Sequence, residues 1–287
     1  MTLDDKSVPD DGGQFFEDLF YTKVGVGRPI IALHGFGATS YSWRYVVSAL
    51  KHENSFFLFD LRGHGKSKIS DGRSFKLTDQ AKTISNFVKE SEIDSVSLLG
   101  HSMGGAIALL TAKELIRNGR SVHSIILVDS VGLPQSLPWF FKVARNSILT
   151  HLATLIISPK MIVRLILYLA YFCPSKISKA AVDEYAKNFD RSDNPDALIQ
   201  TAQQMIPDDL IEQVSMLMTL TVPALVISGK NDNIVPSAVA IGLNMALKNS
   251  RLELIENCGH LPHEECYERV TLLLHEFFHP LAKTSGG

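Results

Sequence analysis

Five residues, Gly100-His101-Ser102-Met103-Gly104, do most to restrict what this chain can fold into. The run before them, Ser95-Val96-Ser97-Leu98-Leu99, has the apolar character of a short buried strand. The run after them opens Gly105-Ala106-Ile107-Ala108 and favours a helix. A serine caught between the two predicts a strand that turns sharply into a helix. Glycines two positions to either side let backbones approach where a Cβ would collide. The turn pushes the Ser102 hydroxyl out of the sheet and leaves it at a helix N-terminus, whose unpaired N–H groups favour negative charge. The pattern alone is common by chance; the strand before it and the helix after it give it weight.

The rest of the chain repeats the alternation. Apolar, β-rich runs at Phe16–Val24, Ile30–Leu33, Phe56–Phe59, Val96–Leu99, Ile125–Val128, Ala224–Ser228 and Leu252–Ile255 read as strands. Helices are expected near Trp43–Leu50, Thr78–Glu90, Gly104–Asn118, Ser237–Leu247 and His263–Phe278. Several strands are apolar at nearly every position, as strands buried on both faces are. The expected class is therefore α/β, a mostly parallel sheet flanked by helices. The alternation stops between Gly132 and Pro223, in a block of helices broken at Pro159, Pro174, Pro195 and Pro207. That block predicts a helical cap, residues 134–208, inserted into a core domain of residues 1–133 and 209–287. An insertion there would cover the strand ends where open α/β sheets bind ligands. Residues 1–13 and 283–287 read as loose ends.

Composition narrows the function classes. A net charge of −2 over 287 residues leaves no electrostatic footprint for nucleic acid, and bulk charge calls for no acidic membrane. Three scattered cysteines, Cys173, Cys258 and Cys266, suit neither a disulfide framework nor a zinc site. The start, Met1-Thr2-Leu3-Asp4-Asp5-Lys6, lacks the apolar core of a signal peptide, so a cytoplasmic location is expected. The most lipid-like run, Met161–Cys173, is interrupted by Arg164 and bracketed by Pro159 and Pro174. It falls short of the roughly 20 residues a membrane span needs. A monomer and a homodimer are equally compatible with these features.

A serine hydroxyl is a poor nucleophile until a base takes its proton, and the base needs an orienting acid. His260 lies just past the strand Leu252–Ile255, in Asn257-Cys258-Gly259-His260. Asp232 lies just past Ala224–Ser228, in Gly229-Lys230-Asn231-Asp232. Both would sit at the sheet edge that carries Ser102. Asp129, at the end of Ile125–Val128, competes with Asp232 for the acid's place. His34-Gly35-Phe36-Gly37 follows another strand, and the N–H groups of Phe36 and Met103 are candidate oxyanion donors.

Together these segments resemble the serine-nucleophile branch of the α/β-hydrolase superfamily with a helical cap. The matching pieces are HGFG at 34–37, DLRGHGKS at 60–67, GHSMGG at 100–105, GKNDNIVP at 229–236 and CGHLPHEE at 258–265. They span nearly all of the chain outside the cap, in the family's order. The resemblance implies a triad of Ser102, Asp232 and His260, a small-molecule ester as substrate, and no metal or organic cofactor. Such relatives include carboxylesterases and lipases, C–C bond hydrolases of ring-cleavage products, and cofactor-free haloperoxidases. A serine at 102 argues against the dehalogenase and epoxide hydrolase branches, whose nucleophile is aspartate. One departure stands out: relatives often carry Glu-x-Pro after the histidine, whereas Glu265 is followed by Cys266 and Tyr267. It is expected to touch the start of the last helix, not the chemistry. Ester hydrolysis on small to medium apolar substrates is the leading expectation. The alternatives are C–C hydrolysis of a vinylogous diketone, with Arg145 or Arg164 holding its carboxylate, and a ligand receptor built on the same fold.

The remaining candidates read as structural. His34 is expected to brace the oxyanion loop, His64 to sit in a nearby loop, and His101 to point away from the Ser102 hydroxyl. His260 and His263 superficially suggest a metal pair, but Pro262 disfavours the helix that would align them. Asp60 and Arg62 should tie down the loop after their strand, Trp43 should pack, and Cys258 and Cys266 should be small buried apolar groups. Trp139, Phe140, Phe141, Ile166, Tyr168, Tyr171 and Phe172 mostly suit the cap's own core. A subset, with Trp139, Phe140 and Ile166 as candidates, would wall an apolar pocket. An exposed patch for dimerisation or a membrane surface is the third option for them.

Overall fold

The computed structural model describes residues 12–69, 72, 74–135, 138–191, 196–206 and 219–279. Residues 1–11 and 283–287, expected as loose ends, lie outside these, as do Pro195 and Pro207. Eight strands form one sheet: β1 (Gln14–Phe16), β2 (Leu19–Gly25), β3 (Arg28–Leu33), β4 (Asn54–Phe59), β5 (Ser95–His101), β6 (Ser121–Val128), β7 (Ala224–Gly229) and β8 (Ser250–Ile255). Their order is β1-β2-β4-β3-β5-β6-β7-β8. β3 to β8 run parallel, and β1 and β2 extend the edge antiparallel. The chain leaves β3 for β4 on one side and returns to place β5 on the other. That reversal opens a crevice beyond the C-terminal ends of β3 and β5, the usual ligand position in such sheets.

The described helices are α1 (Arg44–Leu50), α2 (Leu77–Glu90), α3 (Met103–Arg117), α4 (Trp139–Ala144), α5 (Ser147–Ile156), α6 (Pro159–Ala170), α7 (Lys179–Ala186), α8 (Ala197–Gln204), α9 (Ser237–Ala246), α10 (Pro262–Glu265) and α11 (Tyr267–Phe278). Two hydrophobic cores flank the sheet because successive strand residues point to opposite faces. Ile31, Leu33, Ile125 and Leu127 meet α2, α3 and α9 on one face. Ile30, Ala32, Ile126 and Val128 meet α1 and α11 on the other. No single described helix is long and apolar enough to cross a membrane.

Two expected elements are divided. The strand expected over Phe16–Val24 is a hairpin in which Phe16 pairs with Leu19 around Glu17 and Asp18. Glu17 takes φ 52°, and the Arg62 guanidinium clasps the Asp18 carboxylate at 2.5 and 2.9 Å. A charged tertiary partner thus stabilises a turn that the apolar flanks conceal. The helix expected over His263–Phe278 breaks at Cys266, whose φ −127° and ψ 37° are not helical. α4 to α8 all lie between β6 and β7, with Pro159 opening α6 and Pro174 a 3-10 turn.

Candidate active site

β5 delivers the chain into Ser102, and α3 starts at the next residue. Ser102 has φ 51° and ψ −117°, a left-handed conformation costing roughly 1–3 kcal/mol in a non-glycine residue. Its N–H donates to Val128 O at 3.0 Å, and its carbonyl accepts from Gly105 and Val131. The neighbouring packing tolerates no side chains. A Cβ on Gly104 would stand 2.3 Å from Leu33 O, and one on Gly100 would stand 2.4 Å from Gly104 O. The two glycines therefore let α3 rest on the sheet and hold the strained serine in place. Met103 is buried, and as the first residue of α3 its N–H has no intrahelical acceptor.

Asp129, Asp232 and His260 converge, one polar atom of each within 4.8 Å of the others. The hydrogen bond to His260 falls on Asp232: Nδ1 lies 2.6 Å from Oδ2. The other oxygen of Asp232 accepts from the N–H groups of Ile234 and Val235 at 2.7 and 2.9 Å. With Nδ1–H donated to a carboxylate, the lone pair of His260 is on Nε2. Asp129 has different partners, accepting from Ser228 Oγ at 2.6 Å and Gly229 N at 3.1 Å. Burial, and then the charge of Asp232, push its carboxyl well above the ordinary carboxylate range. A neutral Asp129 is a donor, able to support Asp232 from behind.

The histidine backbone is anchored from two sides. His260 N–H donates to Ala170 O at 2.6 Å, and the His101 imidazole donates from Nε2 to His260 O at 2.8 Å. His101 thus braces the loop that carries His260, a role its place beside the serine does not announce. His263 is buried between His101 and Trp43, its ring 4.5 Å from each. Glu265 matters more than the departure after it suggested. Its carboxylate accepts from Gly259 N at 2.8 Å, Phe172 N at 3.1 Å and Cys173 N at 2.5 Å. It therefore joins the turn before His260 to the chain leaving α6. Glu264, beside it, binds Arg44 at 2.8 Å and the hydroxyls of Tyr171 and Tyr185.

Phe36 sits in the turn after β3, where Ala38 N donates to Gly35 O at 3.2 Å. His34 Nε2 accepts from Leu61 N at 2.9 Å, and His64 Nε2 accepts from Gly37 N at 3.0 Å. Both rings must stay neutral to accept, and Nδ1 of each faces a carbonyl, Gly35 O and Arg62 O. Asp60 caps the same region by accepting from Ser40 and Lys66 N–H groups, and Arg62 holds Asp18 and Ser74 O. Asn188, which no motif marks, spans from the helical segment to this turn: its amide donates to Gly37 O and Ala38 O and accepts from Gly65 N.

Burial is the leading cause that pushes the imidazoles of His34, His64, His101 and His263 down in pKa. In the unfolded chain they titrate near 6.5. The unfolded state therefore takes up more protons as pH falls through that value, so stability present above it is lost below it. Each such imidazole contributes a slope approaching about 1.4 kcal/mol per pH unit, and the upward-shifted Asp129 opposes with a single group. The urea midpoint should hold between pH 8 and 7 and fall steeply from about 6.5 to 5. A flat midpoint over that range would contradict the neutral, buried state of these rings.

A cavity of about 270 Å³ opens between the sheet edge and the helices that follow β6. Phe36, Ser102 and His260 line it from the sheet side; Trp139, Phe140 and Ile166 line it from the helices, together with Phe141, Ala153 and Ile157. Tyr168, Tyr171 and Phe172 do not line it, and Tyr171 is buried against Glu264 instead. Among the described residues no Lys, Arg, Asp or Glu lines this cavity; Arg145 and Arg164 are exposed outside it.

Comparison with known proteins agrees with this architecture. The alpha/beta hydrolase fold family matches residues 28–266. The chain is 27% identical over 263 residues to a Mycoplasma genitalium protein assigned to the esterases/lipases, covering 88% of this chain and 90% of that one. It is 26% identical over 266 residues to the 2-hydroxy-6-oxo-6-(2'-aminophenyl)hexa-2,4-dienoic acid hydrolase of Metapseudomonas resinovorans, covering 88% and 85%. Among solved structures, an epoxide hydrolase without ligand superposes with a TM-score of 0.80 at 22% identity, over 94% of this chain and 99% of that one, a likeness of fold alone. Matched from the start of β3 to Cys266, the chain belongs to the α/β-hydrolase fold family.

Proposed function

We propose that this chain is a serine hydrolase that cleaves carboxylic esters of small to medium apolar substrates through an acyl-enzyme. One observation carries the reading: Ser102 and His260 line a single apolar cavity, and the imidazole there is held by Asp232. Ser102 Oγ attacks the ester carbonyl carbon while His260 Nε2 takes the hydroxyl proton. Asp232 holds Nδ1–H and stabilises the imidazolium that forms. The carbonyl oxygen becomes an oxyanion against the N–H groups of Met103 and Phe36. The C–O bond then breaks, the alcohol leaves with the proton from Nε2, and water activated by the same nitrogen releases the acid. The helices between β6 and β7 serve as a cap that excludes water from these steps.

The C–C hydrolase is the second reading, favoured by the Metapseudomonas relative. Its substrates carry a carboxylate, which the described cavity lining, holding no cationic side chain, would leave unpaired at substantial cost. A series of p-nitrophenyl esters from acetate to dodecanoate, run beside a ring-cleavage dienoate, tests the choice. kcat/KM should peak within the ester series and exceed that for the dienoate at least about a hundredfold. Faster cleavage of the dienoate would transfer the assignment to C–C hydrolysis.

A further inference from the structure

α5 is an amphipathic helix turned inside out. Thr150, Ala153 and Thr154 face the cavity, small or polar side chains on the inner arc. Ile148, Leu152, Leu155 and Ile156 occupy the opposite arc, spaced at helical intervals, and face solvent; Leu155 and Ile156 are 82% and 83% exposed. No residue of α5 is buried. Met161 and Leu165 of α6 continue the exposed apolar surface. Trp139, Ile157 and Leu165 both line the cavity and stand exposed, so the exposed apolar surface and the cavity lining share these three side chains.

The charge around this face is one-sided. Between Asp129 and Asp183 the chain holds six of its 28 basic residues and none of its 30 acidic ones. Lys142, Arg145, Lys160 and Arg164 are exposed beside the apolar arc. Among the described residues, the acidic groups paired with basic ones here are Asp183, 2.7 Å from Lys160, and Asp196, 3.0 Å from His151. Bulk charge near neutrality conceals this local excess.

We infer that the outer face of α5 and α6 docks on an anionic lipid surface. Apolar side chains ringed by cations are what the boundary of such a surface accepts. A second copy of the chain fits less well, since a twofold contact would set the same cations against one another. The two helices meet at a bend of 111°, and neither alone is long enough to cross a bilayer, so they lie on it. Docked this way, the cavity mouth opens toward the leaflet, and an apolar ester dissolved there enters without crossing water. That consequence rests on the ester reading; the docking does not.

Sedimentation with vesicles tests the docking. The wild-type chain should sediment with phosphatidylcholine vesicles containing about one-third phosphatidylglycerol, less so with phosphatidylcholine alone, and less as salt rises from about 0.1 to 0.5 M. Leu155→Ser with Ile156→Ser should lower the partition coefficient at least about tenfold. Lys142→Glu with Arg145→Glu should lower it on the anionic vesicles only. The serine pair lies outside the cavity, so its melting temperature and its hydrolysis of soluble p-nitrophenyl butyrate should match wild type. Ser102→Ala should bind vesicles like wild type, which separates docking from chemistry. Failure of the wild type to bind anionic vesicles overturns the docking. So does a dimer in sedimentation equilibrium that the serine pair dissociates, which would give this face to a second copy.

Discussion

On the proposed mechanism, Ser102→Ala removes ester turnover, with kcat falling on the order of a millionfold, the scale on which loss of a nucleophile is felt in a triad enzyme. Labelling by a fluorophosphonate will vanish with it. The residual rate would come from binding and the proposed oxyanion donors, which the substitution leaves in place. Folding gives no alternative explanation, because the strained backbone at φ 51° is held by Val128, Gly105 and Val131 through main-chain bonds that alanine keeps. Melting temperature should therefore stay near that of wild type. Undiminished hydrolysis by this variant would remove Ser102 from the mechanism and leave the fold intact.

Asp232→Asn and Asp129→Asn should part company by several orders of magnitude. At 232 the N–H groups of Ile234 and Val235 need an acceptor, so the amide oxygen turns to them. The amide NH2 then faces His260 Nδ1, which must accept, and the imidazole proton moves to Nε2. The base is lost to the wrong tautomer, at a cost of about ten-thousandfold in kcat. At 129 the group is already held toward its neutral form, and an amide oxygen can still accept from Ser228 and Gly229. Its NH2 can donate toward Asp232 as the protonated acid does, so the rate should stay within about tenfold of wild type. Equal losses, or the larger loss at 129, would make Asp129 the orienting acid. Steady-state kinetics on one p-nitrophenyl ester decides it.

The strand cores were legible because each is a local run whose apolar character follows from burial on two faces. The hairpin at Glu17 was hidden because its turn depends on Arg62, which lies 44 positions along from Asp18. The break at Cys266 was hidden because neither glycine nor proline marks it: Glu264, Glu265, Cys266 and Tyr267 run on without a helix breaker. Around the site, motifs marked the residues that face the cavity but not those that hold them. His101 steadies His260 through a main-chain carbonyl, Glu265 bridges two segments, and Asn188 reaches the Gly37 turn from 151 positions away. Such bonds to backbone leave no pattern in side-chain order, since any suitably placed polar residue can make them.

The sheet, its order of strands and helices, and the strand–serine–helix turn follow from residues close together in the chain, where periodicity and glycine placement act locally. For the partner of His260 the resemblance favoured Asp232 over Asp129, but both acids follow adjacent parallel strands, and only the folded chain sets Asp232 Oδ2 2.6 Å from His260 Nδ1. The cavity wall and the orientation of α5 needed the folded chain too. A helix with one apolar arc reads as though that arc must face inward, and here the opposite arc lines the cavity. Which face of a helix is buried is decided by what packs against it, and that is a property of the folded chain.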